Sequence, residues 1–492
     1  MKILLVYPET PSTFWSFKDA LKFVSKKSAE PPLGLITAAA MLPQKWEKKL
    51  IDMNVSKLED ADLQWADYVF MSAMNVHSHS VKEIVRRCNK LGVKIVAGGP
   101  LFTTQHQDFL GIDHFVLNEA EITLSQFLSD LEKGTPKHLY TTDEFPDISL
   151  APMPMWELLD RNKYASLSLQ YSRGCPYDCE FCSITMLNGR TPRTKSKEQF
   201  LSELNRLYES GYRGDVSVVD DNFIGNKRKL KEEILPALID WLKERKYPFH
   251  FLTEVSINLA DDEELMNLMV EAGFYSIFVG IETPNDDSLT ECGKTQNQRR
   301  DLVLSVKKLQ RHGMVVSAGL IIGFDHDPPD IFTQQINFIR KSGIAAAMVG
   351  LLNAPTGTHL FNRLKKENRL LDGWSGNNMD GATNFIPKMN YRDLIAGYSK
   401  IIQTIYSPQE YYKRVKLFLN EYNVPSWKSQ MLTFTEIKAF VKLLWLIGIL
   451  EDGRKYFWQT LVYSFFKYPK KFSLAMTLVV YGYHFRRIAA TI

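Results

Sequence analysis

Short apolar runs alternate with helix-period stretches over the first two thirds of the chain. Runs at 3–7, 49–52, 68–72, 94–97 and 115–117 predict strands, and the spacing at 81–91 and 122–131 predicts helices between them. Alternation of this kind predicts a parallel sheet with helices on both faces. Gly98-Gly99-Pro100 directly follows one of these strands, where ligands bind in open α/β sheets. A proline-rich stretch from Pro146 to Pro154 marks a boundary.

A second alternating array follows. Its predicted strands are 166–171, 216–219, 250–254, 276–281, 316–322 and 345–351, with helices at 197–210, 261–272 and 300–312. Six β/α units without a glycine fingerprint predict a partial barrel, whose chemistry lies at the C-terminal ends of its strands. Asp220-Asp221-Asn222, Glu254, Glu282 and Gly323-Phe324-Asp325 fall at those ends. Beyond about residue 355 the strand signal fades into aromatic-rich helical stretches. The expected α/β division is a doubly wound, Rossmann-like domain at 1–145, a linker at 146–160, a partial (β/α)6 barrel at 161–355 and a helical extension at 356–492.

Composition narrows the classes. The 492 residues are 45% apolar and 24% charged with a net charge of +4, an ordinary soluble balance that demands no nucleic-acid partner. The charge is uneven, because from Tyr411 onward 13 Lys and Arg stand against 4 Asp and Glu. No apolar run reaches the length of a membrane span, and the run at 3–7 is too short for a secretion signal. Five cysteines, three of them within eight residues, are not a disulfide framework; they predict a reducing, cytoplasmic setting and a metal.

Those three stand in Cys175-Pro176-Tyr177-Asp178-Cys179-Glu180-Phe181-Cys182, directly after the first barrel strand. Three thiolates at this spacing can wrap one side of a [4Fe–4S] cubane and leave one iron open, the mark of a catalytic site. A zinc knuckle or plain structural cysteines are the alternatives; both are disfavoured by the lack of a fourth ligand nearby. The run resembles the signature of the radical S-adenosylmethionine (SAM) superfamily, with Phe181 in its aromatic place. The resemblance implies that the open iron chelates SAM, which one electron from a flavodoxin- or ferredoxin-type donor cleaves to a 5′-deoxyadenosyl radical. It further implies SAM contacts from Phe181, Asp220, Asp221, Asn222, Glu254, Glu282, Ile321 and Gly323; for the carboxylates, helix caps or loop charges are the alternative.

The first domain resembles the cobalamin (B12)-binding domain that precedes many such enzymes. The match is carried by Pro31-Pro32-Leu33-Gly34-Leu35, Ser72 and Met74, Gly98-Gly99-Pro100, and Asn118-Glu119; of these it implies Ser72, Met74, Gly98, Gly99, Pro100, Asn118 and Glu119 as cobalamin contacts. The family's cobalt-binding histidine is missing, since Asn54 stands in its place; His77 and His79 are the other candidates. Cys88 reads as structural and Cys292 as a loop thiol or a residue at the barrel mouth. Without a second cysteine cluster, the sulfur-inserting, tRNA-modifying and peptide-maturing branches are disfavoured.

The segments Thr356-Gly357-Thr358, Tyr406-Ser407-Pro408 and Gly482-Tyr483-His484-Phe485 resemble the C-terminal extension of a subgroup that methylates hopanoids or bacteriochlorophyll side chains, or closes rings in tetraether lipids. This implies radical C-methylation of an unactivated carbon in a lipophilic, lipid- or pigment-like molecule. A radical oxidoreductase or cyclase of the same architecture is the alternative. The basic, aromatic tail either lies on a membrane surface or packs as ordinary helices.

Overall fold

The computed structural model describes residues 1–371, 375–377, 380–427 and 434–492. Strands β1 (Lys2–Tyr7), β2 (Glu47–Asp52), β3 (Tyr68–Ser72), β4 (Lys94–Gly98), β5 (His114–Val116) and β6 (Leu139–Tyr140) form a sheet in the order β2-β1-β3-β4-β5-β6. All pairings are parallel. In β1 every residue from Ile3 to Val6 is fully buried, because the pleat sends alternate side chains into two cores. Leu4 and Val6 meet Val81, Ile84 and Cys88 of the helix Ser78–Leu91. Ile3 and Leu5 meet Leu35 and Ala39 of the helix Leu33–Met41, and Phe127 of the helix Ala120–Glu132. Cys88 is therefore a core residue.

The second sheet holds β7 (Leu167–Leu169), β8 (Gly214–Val218), β9 (Phe249–Val255), β10 (Phe274–Glu282), β11 (Val315–Ile322) and β12 (Ala347–Leu351). The strands are parallel and follow chain order, and β12 does not pair back to β7, so the barrel is open on one side. Outward residues such as Val216, Phe251, Val279 and Leu320 are sealed beneath helices. The helix Leu302–Arg311 is typical of these. Asp301 caps it by accepting from the Leu304 N–H, and Leu302, Val306 and Leu309 form the buried stripe.

The extension closes the other end of the barrel. Tyr406 on the helix Tyr391–Tyr406 donates its hydroxyl to the Ala347 carbonyl, and the buried Arg414 guanidinium donates to the Ile344 carbonyl at 3.0 Å. Trp427 stacks on His250 at 5.1 Å, beside a 3.0 Å bond from the Tyr275 hydroxyl to Asp215.

Candidate active site

The three cysteines sit on a loop braced from every side. Gly174 opens it with φ +93°, where a Cβ would lie within 3.0 Å of the carbonyls of Asn188, Thr191 and Gly189. The Gly174 N–H donates to Asp221 at 2.9 Å and the Cys175 N–H to the Gly189 carbonyl at 3.2 Å. In mid-loop the Glu180 N–H donates to the Cys292 carbonyl, and the Glu180 carbonyl accepts from Leu360 N–H, both at 2.9 Å. Cys292 is thus a brace: its thiol is buried in a small apolar cluster with Phe324, Leu352 and Leu360, beside the cysteine loop. Phe181 packs on that cluster, 6.2 Å from the ring of Phe324.

Among the described residues no three His, Cys, Asp or Glu converge on a single-ion position. A cubane asks for something else, since each thiolate reaches a different iron. Burial pushes all three thiols up, Cys182 to about 12, so the three bare thiols are uncharged, and bound iron would supply the positive charge that keeps them ionised as thiolates. The three-sulfur donor set fits the cluster.

The strand-end carboxylates divide into two groups. Asp220 accepts from the backbone of Tyr171 (2.7 Å) and Ser172 (2.8 Å) and from the Ser172 hydroxyl. Asp221 holds Gly174 and the Asn188 side chain, and Asn222 pairs with the backbone and hydroxyl of Ser256. These three, expected as SAM contacts, are latches joining the end of β8 to the cysteine loop and to β9. Burial moves Asp220 up to about 7 while its three donors pull the other way.

Glu254 and Glu282 behave differently. Glu254 points inward from β9 and stays solvent-accessible, yet the surrounding protein raises it to about 8, with Asp221 and Glu30 adding repulsion. Glu282 has φ +60° at a bulge closing β10 and pairs with Lys294 at 2.6 Å. Gly280 makes room for that pair: a Cβ there would lie 2.4 Å from a Glu282 oxygen and 2.7 Å from the Lys294 nitrogen. Burial would lower Lys294, but the Glu282 carboxylate bonded to it outweighs this and holds the ammonium charged. Lys294 is a site residue the sequence reading missed, because no spacing rule ties it to Glu282. Ile321 and Gly323 end β11; Gly323, at φ +104°, donates its N–H to Asp327 at 2.7 Å.

Arg363 ties the extension to the loop. It forks onto Glu180 (2.6 and 3.0 Å), Asp325 (2.8 Å) and Glu291 (3.3 Å). Burial alone would raise Asp325, but Arg369 and Arg363 hold it well below the usual carboxylate range. Asp325 is therefore scaffold. Arg363→Leu is expected to leave Glu180 without its fork and to cut iron retention on gel filtration at least about twofold; retention equal to wild type would discount the brace.

At the edge of the first sheet, Gly98 and Gly99 permit close approach. A Cβ on Gly98 would sit 2.6 Å from the Val116 carbonyl, and one on Gly99 (φ +90°) 2.7 Å from the Ser72 hydroxyl. Met74 is exposed there, and Pro100 starts the helix Pro100–Gln105 directly after β4. Asn118, at φ +61°, accepts from Thr141 and Thr142 through its side chain. Glu119 is not free for a cofactor: it lies between Arg173 (2.6 Å) and Arg193, while Glu121 also holds Arg173. This ion cluster clamps the first domain to the residue preceding Gly174-Cys175. His77 is also withdrawn: it is fully buried edge-on against Tyr7 and bonded to Thr10 and to the Met74 N–H, and burial lowers it to about 4. The strand-end glycines suit a large flat group approached by backbone.

A doubly wound sheet clamped to an open barrel with a three-cysteine loop at its mouth defines a cluster-bearing radical enzyme with a nucleotide-like cofactor domain. Residues 24–128 match the B12-binding domain, 169–339 the Radical SAM superfamily, and 358–492 a domain of unknown function, DUF4070. An uncharacterized methyltransferase of Synechocystis sp. is 40% identical over 99% of this chain and 91% of its own. The hopanoid C-2 methylase of Rhodopseudomonas palustris is 32% identical over 93% and 88%. Among solved folds, the cobalamin-dependent radical SAM enzyme OxsB superposes with a TM-score of 0.63 at 16% identity, covering 100% of this chain and 79% of that one. The chain belongs to the cobalamin-dependent radical SAM methyltransferase family, and its cofactors are a [4Fe–4S] cluster, SAM and cobalamin.

Proposed function

We propose that this enzyme methylates an unactivated carbon of a lipophilic, lipid- or pigment-like substrate that it meets at a membrane surface. Cys175, Cys179 and Cys182 would hold the cluster; Glu254 and the Glu282–Lys294 pair would face SAM; Ser72, Met74, Gly98, Gly99, Pro100 and Asn118 would border cobalamin. When bound, these groups supply hydrogen-atom abstraction and a methyl group. The chain's own part is to hold the loop rigid, keep one cation beside the cluster thiols, and wall the lumen from water. A flavodoxin- or ferredoxin-type donor would deliver the electron. Curated relatives named for a hopanoid and, at 22% identity over 84% of this chain and 89% of that of Chlorobaculum tepidum, for bacteriochlorophyllide d support the substrate class.

One observation carries the lipophilic reading. In the helix Phe434–Leu446 and the turn after it, Ile437, Val441, Trp445 and Ile449 recur every fourth residue and are all exposed. In the helix Arg454–Lys467, Trp458, Val462, Phe465 and Phe466 repeat the pattern, Phe466 being 77% exposed. The two stripes adjoin, since Trp458 donates to the Gly448 carbonyl and both Phe440 and Phe465 touch Phe472. Arg454, Lys455, Lys467 and Lys470, all exposed, stand at the ends of the second helix and just after it. No helix among the described residues is long and apolar enough to cross a membrane. An apolar face with exposed cations at its ends suits the surface of an anionic, cytoplasmic leaflet.

Sedimentation with phosphatidylglycerol-containing vesicles is expected to carry the protein down, less so at high salt. Phe465→Asp with Phe466→Asp should weaken this at least about tenfold, each lost ring being worth about 1.5–3 kcal/mol. Wild-type protein that stays in the supernatant, or a concentration-dependent dimer abolished by the same change, would count against the membrane reading.

A further inference from the structure

The segment between β1 and the helix Leu33–Met41 enters the barrel. Ser28 bridges Tyr164 in parallel, and Ala165 and Ser166 donate N–H bonds of 3.0 Å to the Ser28 and Ala29 carbonyls, adding an edge just before β7. Phe14 packs against Tyr406 and Phe485, each at 5.5 Å, on the helices beside β12. The segment therefore spans the side where β12 and β7 fail to meet.

The lumen behind it is partly accessible. Along β9, β10 and β11 outward residues are sealed, while inward Leu252, Phe278, Gly280, Gly319 and Ile321 remain accessible. Filled barrels carry bulky branched residues at such places. Here Ser168, Ser217 and Gly350 are small, Gly280 makes room for the Glu282–Lys294 pair, and Gly319 is required, since a Cβ would come within 2.8 Å of the Phe278 ring. Two side chains of the segment border this space. The Trp15 ring lies 4.6 Å from that of Phe278 and is 48% exposed. Glu30 is accessible too, near the hydroxyls of Ser168 and Ser217, and burial within the protein raises its carboxyl. Among the described residues no Lys, Arg or His pairs with it.

We propose that Trp15 and Glu30 recognise the substrate: Glu30 accepts a hydrogen bond from a hydroxyl or ammonium group, and the contacting Trp15 and Phe278 rings form one apolar wall against the substrate's flat body. A walled carboxylate without a cation is satisfied by such a donor and penalises a ligand lacking one, so the lumen selects an amphiphilic ring compound over a plain hydrocarbon. Trp15 supplies a large rigid contact surface. This rests on the lipophilic-substrate reading and narrows it.

The test loads anaerobically reconstituted full-length enzyme with a total lipid and pigment extract of its source cells, washes it, and identifies retained compounds by mass spectrometry. Wild type is expected to retain a ring compound bearing a hydroxyl or amino group. Glu30→Leu and Trp15→Ala should each retain about tenfold less, and Glu30→Gln, which keeps an acceptor, an intermediate amount. Iron content and thermal midpoint report that the variants are folded. Retention of donor-free hydrocarbons alone, retention of nothing, or equal retention by Glu30→Leu would overturn the proposal. If instead the expected compound is retained but turnover with SAM never adds a methyl mass, recognition stands and the methylation reading fails.

Discussion

Cys179→Ala is expected to yield a folded chain that holds no stable four-iron cluster and forms no 5′-deoxyadenosine. The loop does not depend on the cluster for its shape, because Gly174 is held by Asp221, Glu180 by Cys292 and Arg363, and Cys175 by the Gly189 carbonyl. Cys179 is the most buried of the three, so no neighbouring side chain or water readily replaces its sulfur. Two remaining thiolates leave two irons without a protein ligand in a site that needs three. Iron per chain, the broad brown absorbance and 5′-deoxyadenosine should all fall to background, with the thermal midpoint of the cluster-free protein unchanged. Wild-type iron content in the variant would remove Cys179 from the ligand set.

Glu119→Ala should be the costliest substitution outside the barrel. Glu119 is 7% exposed and faces two guanidiniums, so its loss leaves Arg193 only the neutral carbonyls of Pro146 and Asn188, and leaves Arg173 one carboxylate, Glu121, besides its bond to Gln170. Removing one partner of a buried ion pair costs about 3–5 kcal/mol, mainly from the uncompensated charge. The effect should reach the chemistry as well as stability, because Arg173 precedes Gly174-Cys175 and sets the cysteine loop against the cobalamin-binding domain. Urea unfolding is expected to shift by that amount, with 5′-deoxyadenosine formed in excess over methylated product. A change below about 0.5 kcal/mol would mean that the clamp is solvated.

The architecture was legible in the sequence because each strand buries both faces or alternates cleanly. The run at 68–72 reappears as Tyr68–Ser72 and that at 316–322 as Val315–Ile322. The helix Leu33–Met41 was not read, since its nearly uniform apolar sequence has no polar face to reveal a period. At the site, the cysteine spacing was informative because three ligands lie within one local loop. The carboxylates were not separable by sequence: Asp220, Asp221 and Glu119 look like Glu254, yet the first two latch backbone and the third clamps two arginines. Lys294, Trp15 and Glu30 escaped for the reverse reason. Their partners lie 12, 263 and more than 130 residues away, and only the fold brings them together.

The central claim is a four-iron cluster with three cysteine ligands and one iron open to SAM. Electron paramagnetic resonance of the anaerobically reconstituted, dithionite-reduced enzyme, with and without SAM, tests it most directly. A reduced [4Fe–4S] signal whose g values shift on adding SAM is the predicted result; a signal indifferent to SAM, or protein that takes up only zinc, would contradict it.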